Sequence, residues 1–166
     1  MDFNKKNLEY VLEDATYLQD EIEALKYVIQ EVPFDEKPGG VESIIEMIAL
    51  IDHAQLQFYR PILEEIKSNN RPDFKKINPD FKNTFEFEMK EGESVEKVLD
   101  RIIKHRAALI NIANSIPVIT WQKKVTINHR DKSLFQIMQE MIQFERAQLK
   151  KVADRVMALG KEKQQK

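Results

Sequence analysis

Apolar residues recur every three to four positions over four long stretches of this chain, the period of helices that bury one face. The first stretch, residues 5–31, carries Leu8, Val11, Leu12, Ala15, Leu18, Ile22, Leu25 and Ile29. Val32-Pro33 closes it, because the residue before a proline is biased away from helix. The second follows Pro38-Gly39-Gly40 and carries Ile44, Met47, Ile48, Ile51, Gln55 and Phe58. Ser43, with Glu46 three residues on, has the form of a capping box. Pro61 falls inside this pattern and predicts a break near Tyr59-Arg60, with a short continuation to Lys67. The third opens at Ser94 as N-cap and ends before Pro117, on Val95, Val98, Leu99, Ile102, Arg106, Leu109, Ile110, Ala113 and Ile116. The fourth, residues 133–159, opens with a second capping box, Ser133 and Gln136, and takes Gly160 as its stop. A frayed tail is expected over residues 161–166.

Two connections are long. Residues 68–93 hold Pro72, Pro79 and Gly92 together with Phe74, Phe81, Phe85 and Phe87, so this connection packs rather than floats. Residues 85–89 alternate apolar and polar, which predicts a short extended piece. Residues 117–132 contain Trp121. Long connections can span the length of a bundle, so neighbouring helices need not all be antiparallel. The pattern predicts an all-α chain, a four-helix bundle with long crossover connections, in one domain over residues 1–160.

Composition narrows the function. Charged residues make up 33% of the chain yet the formal net charge is −2, with no basic block, which argues against nucleic acid as a partner. No stretch approaches the roughly 20 apolar residues of a spanning helix, so no membrane partner is expected. The N-terminus has no apolar run of the secretory type, and a cytoplasmic location is the expectation. Cysteine is absent, which removes disulfides, thiolate metal sites and a cysteine nucleophile.

Two polar side chains, Glu145 and Gln148, interrupt the stripe of the fourth helix near Met141 and Val152. Arg106 interrupts that of the third between Ile102 and Ile110. An unpaired buried charge costs several kcal/mol, so Arg106 and Glu145 are expected to face each other. Either they form a buried ion pair that sets helix register, or they floor a polar pocket in which Arg106 offers its fork to an anionic ligand. The three histidines, His53, His105 and His129, show no pairing at three- or four-residue spacing, and no Glu-x-x-His motif of a di-iron bundle occurs. At roughly 100° per residue, His53 falls opposite the Ile44/Ile48/Ile51 face, in line with Glu46 and Gln57, and reads as a solvated histidine. His105 sits at the edge of its stripe and His129 in an exposed turn, neither with a positioned acid or hydroxyl partner.

These motifs resemble the DinB-like (DinB/YfiT-type) metalloenzyme superfamily from the second helix through the fourth, with the first compatible. The residues that carry the resemblance are Pro38-Gly39-Gly40, the run from Ser43 to Glu46, Arg106-Ala107-Ala108-Leu109, and the run from Phe144 to Lys150. The resemblance implies a bundle of up-down-down-up order and pairing as a homodimer through helix faces. Members of the family hold a divalent metal, often nickel or zinc, on three histidines. Here the matching positions are Leu50, Phe144 and Gln148, which leave such a metal without a seat.

Three functions follow as expectations. The first is a DinB-like protein without the family metal or any other cofactor, more readily a binding protein than an enzyme. Its pocket for a small-molecule ligand would be lined by Leu50, Arg106, Met141, Phe144, Glu145 and Gln148. The second keeps the family chemistry, a thiol S-transferase or hydrolase with nickel or zinc on His53 and Glu145. The third is a structural or interaction bundle.

Overall fold

The computed structural model describes residues 2–29, 31–37, 40–88 and 90–160 in full, and the helical backbone alone over 161–165. Helices dominate: α1 (Lys5–Ile29), α2 (Ile44–Ala54), α3 (Arg60–Ser68), the single turn α4 (Phe81–Thr84), α5 (Val95–Ser115) and α6 (Leu134–Gln165). A π-helical turn, Gln55–Tyr59, joins α2 to α3. A 3-10 turn, Val118–Gln122, precedes a hairpin of β1 (Lys124–Ile127) and β2 (Arg130–Ser133).

The helix starts follow from side-chain caps. Ser43 Oγ accepts from the Glu46 N–H at 3.3 Å, and Ser94 Oγ accepts from the Lys97 N–H at 3.2 Å. At α6 the box is reciprocal: Gln136 N donates to Ser133 Oγ at 3.1 Å, and Ser133 N donates to Gln136 Oε1 at 2.9 Å. The break expected near Tyr59-Arg60 is spread over the five residues before it. Pro61 lacks an N–H, and the backbone widens so that Arg60 N donates to Gln55 O, after which the helix resumes. Pro38, Gly39 and Met89, with Met1, Gln30 and Lys166, lie outside the described residues.

Three expectations are corrected. Gly160 does not stop the last helix, which runs on to Gln165. Gly160 has no positive φ, and a glycine inside a helix costs about 1 kcal/mol against alanine without forbidding it. Of the frayed tail, residues 161–165 are helical and Lys166 lies outside the described residues. Residues 85–88 are not a strand. The two short strands lie instead in the second connection, and the fold is mostly helical, consistent with the all-α class expected. Asn128 and His129 adopt φ 53° and 63°, the left-handed pair that a two-residue hairpin turn requires.

Hydrogen bonds and ion pairs give the helix directions. Ala15, Gln19 and Lys26 of α1 meet Arg106, Ile103 and Asp100 of α5, an antiparallel run. Met47 and Glu42 meet Gln148 and Arg155, so α2 and its preceding loop run antiparallel to α6. Asp52 and Gln55 meet Arg101 and Arg106, which makes α2 and α5 parallel.

The core is in two parts. One is aliphatic, built on Ile22, Ile44, Ile48, Ile51, Leu99 and Ile102. The other carries the aromatics Tyr59, Phe81, Trp121 and Phe135. Their border falls between Leu18 and Ala15 on α1, Ile51 and Ala54 on α2, Ile102 and Leu109 on α5, and Val152 and Ile142 on α6. Of the buried polar side chains, Asp52, Gln55, Arg106, Glu145 and Gln148 lie near that border, and Ser43 caps α2.

Candidate functional site

Arg106 is fully buried, with 0% of its surface exposed. Its position in the α5 stripe forces the guanidinium inward, and every reachable partner is polar. Nε donates to Gln55 Oε1 at 3.1 Å, and Nη1 donates to the Ala15 carbonyl at 3.1 Å. Nη2 pairs with the Glu145 carboxylate and lies 3.8 Å from Met141 Sδ. Residues from α1, the π-helical turn after α2, and α6 thus meet on one side chain of α5. The ion pair expected between Arg106 and Glu145 is present. Burial pushes the Glu145 carboxyl above the ordinary carboxylate range, while Arg106 pulls it back. Burial likewise pushes the Tyr59 phenol well up, with the nearby Glu145 charge adding to it. Gln55 Nε2 is buried with no hydrogen-bond partner among the described residues.

Arg106, Met141 and Glu145 come together, and Gln148 joins the same border by donating to the Met47 carbonyl at 3.1 Å. Leu50 and Phe144 are half-buried against the aromatic part of the core. Phe144 meets Phe81 edge-on at 5.7 Å, with the Lys82 ammonium 4.7 Å from its ring centroid. Glu145 and Arg146 reach a shallow notch between α1 and α6, lined also by Asp14, Leu18 and Glu21.

A second polar network lies one residue away on α5. His105 Nδ1 stands 2.9 Å from Asp52 Oδ1, so the expectation that His105 has no acid partner is corrected. Arg101 Nε donates to Asp52 Oδ2 at 3.4 Å, and the same guanidinium pairs with Glu93. That hydrogen bond from Arg101 holds the Glu93 carboxyl below the ordinary range. Asp52 is buried although it falls on no apolar stripe, and residue spacing alone does not mark it. The one signal was its place beside a histidine on an apolar helix.

His53 is also corrected. It is half-buried rather than solvated, stacked on Phe85 at 4.9 Å, and its Nε2 is buried with no hydrogen-bond partner among the described residues. Burial pulls its pKa down, with Asp52 opposing. The connection that carries Phe85 covers the face of α2 that periodicity left open. His129 is exposed at the hairpin turn, as expected. Among the described residues, no group of three or more His, Cys, Asp or Glu stands close enough to hold a metal ion. Nor is any helix long and apolar enough to cross a membrane.

Compared with known proteins, the chain matches no family model, no curated protein and no solved structure.

Proposed function

We propose that this chain is a DinB-like four-helix bundle that has lost the family metal site and acts as a non-catalytic, small-ligand-binding protein. The helix directions support the bundle: α5 opposes α1, α2 runs with α5, and α6 opposes α2, an up-down-down-up order. The observation that carries the loss of the metal is the use made of the three matching positions. Gln148 spends its amide on the Met47 carbonyl, Phe144 packs edge-on to Phe81, and Leu50 packs into the core. Each does structural work where the resemblance would place an imidazole. Glu145, the improvised ligand of the alternative enzyme, is bonded to Arg106, and His53 is stacked on Phe85. The same reading carries a cytoplasmic location. It also carries pairing through helix faces, supported by Tyr10 and Tyr17, both exposed and seven residues apart on α1.

Elemental analysis tests the proposal. Purified protein dialysed against zinc or nickel is expected to retain neither in stoichiometric amount; one tightly held metal per chain overturns it. The combined variant Leu50→His, Phe144→His and Gln148→His is expected to gain one zinc per chain. Failure of the folded variant to take zinc would remove the DinB-like correspondence of these positions.

A further inference from the structure

A large cleft lies apart from the Arg106 cluster and shares no lining residue with it. It encloses about 940 Å³ where the ends of α3 and α5, the loop after α3, the 3-10 turn and β1 meet. That is the upper end of the roughly 300–1,000 Å³ that small-molecule sites occupy. Its walls include the buried Ile116 and Val125 and the half-buried Phe74. Its charged lining is mostly basic, among neutral polar residues such as Asn69, Asn70 and Asn128. Lys67, Lys75, Lys123 and Lys124 line it against a single acid, Asp73. None of the four lysines has an ion-pair partner among the described residues.

Two helix C-termini, α3 at Ser68 and α5 at Ser115, open towards this cleft. Each is equivalent to about half a negative charge. Together with Asp73 they offset about half of the lysine charge, and the cleft remains net positive. Asp73 is further engaged, accepting from the Lys75 N–H at 3.0 Å. Apolar walls under unpaired ammonium groups suit one kind of molecule, an apolar body with an anionic head.

We infer that this cleft binds an organic anion, a carboxylate, phosphate or sulfonate on an apolar body, with Lys67 and Lys124 holding the head. This rests on the ligand-binding half of the function proposed above and is independent of the metal. The cleft belongs to none of the positions that match the family's histidines. Trp121, the single tryptophan, is buried next to Thr120 of the cleft wall, so its emission reports on occupancy.

The test titrates the full chain with 8-anilinonaphthalene-1-sulfonate, excited by transfer from Trp121, and then displaces it with dodecanoate, dodecanol or inorganic phosphate. One site per chain is expected. Dodecanoate should displace the dye, whereas dodecanol and inorganic phosphate should do so at least about tenfold less well. The variant Lys67→Gln, Lys124→Gln removes two exposed, unpaired charges, so its circular dichroism should match the parent. It should bind the dye and dodecanoate at least about tenfold more weakly, as should the parent when salt rises from about 0.05 to 0.5 M. Equal binding by the folded variant overturns the inference, as does equal displacement by dodecanol or failure of both dye and dodecanoate to bind. Inorganic phosphate displacing as well as dodecanoate also overturns it, since the site would then be a free-anion site. Stoichiometric metal in the purified protein would sink the metal-free reading and leave this titration standing. Silence of the cleft would leave the metal result standing.

Discussion

His105 and Arg106 are neighbours in the chain and serve two networks with different fates. Arg106 points into the border between the two parts of the core, where it is fully buried and α1, the π-helical turn and α6 supply its partners. His105 points to the rim, where it meets Asp52 beside the partly exposed Arg101. Both networks tie α2 to α5, but burial decides what each contributes. In the interior an unpaired charge is costly, so the Arg106–Glu145 pair favours one helix register over others. At the rim only one side of the network is open: the Arg101 guanidinium is partly exposed, so water competes for its pairing with Asp52.

The largest test removes one side of the buried pair. Glu145→Ala should cost about 3–5 kcal/mol in denaturant unfolding, because it leaves the Arg106 charge buried and unpaired. Replacing both partners together, Arg106→Met with Glu145→Leu, should cost far less than the single change. If the double change costs as much as the sum of the two single changes, the pair is not a closed unit. At the rim, Asp52→Ala should cost about 1.5–3 kcal/mol, the range for hydrogen bonds to a charged group. An Asp52 cost equal to that of Glu145 would erase the distinction drawn here.

Titration should separate the two regions by sign. His53 has a lowered folded pKa, mainly through burial, so its contribution is present above the unfolded value of about 6.5 and is lost as pH falls below it. Glu145 has a raised folded pKa, again mainly through burial, so its contribution is present below the unfolded value of about 4.3 and is lost as pH rises through the folded one. Stability measured against pH should therefore lose acid sensitivity near pH 6 in His53→Gln. In Glu145→Gln it should lose the decline seen as pH rises from the acid side. A His53→Gln profile that superimposes on the parent would remove His53 from the account. The smallest effect belongs to the surface. Breaking the exposed Lys132–Glu140 pair, 2.8 Å apart, with Lys132→Gln should change stability by less than about 1 kcal/mol.

Much of the interior cluster was legible before any coordinates. Arg106, Glu145 and Gln148 stood out because each breaks an apolar stripe, and a buried charge needs a partner. The helix caps at Ser43, Ser94 and Ser133 were legible for a similar reason, since the rule is local. The rim was not. Asp52 and His105 sit on separate helices, 53 positions apart, and periodicity assigns a face without naming what covers it. His53 shows the same limit: the face judged open is closed by Phe85, from a connection with no regular period. The hairpin escaped because its strands are four residues each, too short for alternation to be distinguished from a loop. The basic cleft escaped because its lysines come from two separate stretches of chain, residues 67–75 and 123–124.

By itself the sequence determined where the helices start, which face of each is apolar, and that a positive and a negative charge had to meet inside. Those are consequences of spacing, capping and the cost of burying charge, all of which act within one helix or between a few kinds of group. Only the tertiary structure decided which helices lie side by side, which histidine finds an acid, and where a basic cleft forms. Such outcomes depend on how long connections fold back over faces already formed, and no local pattern of residues encodes that path.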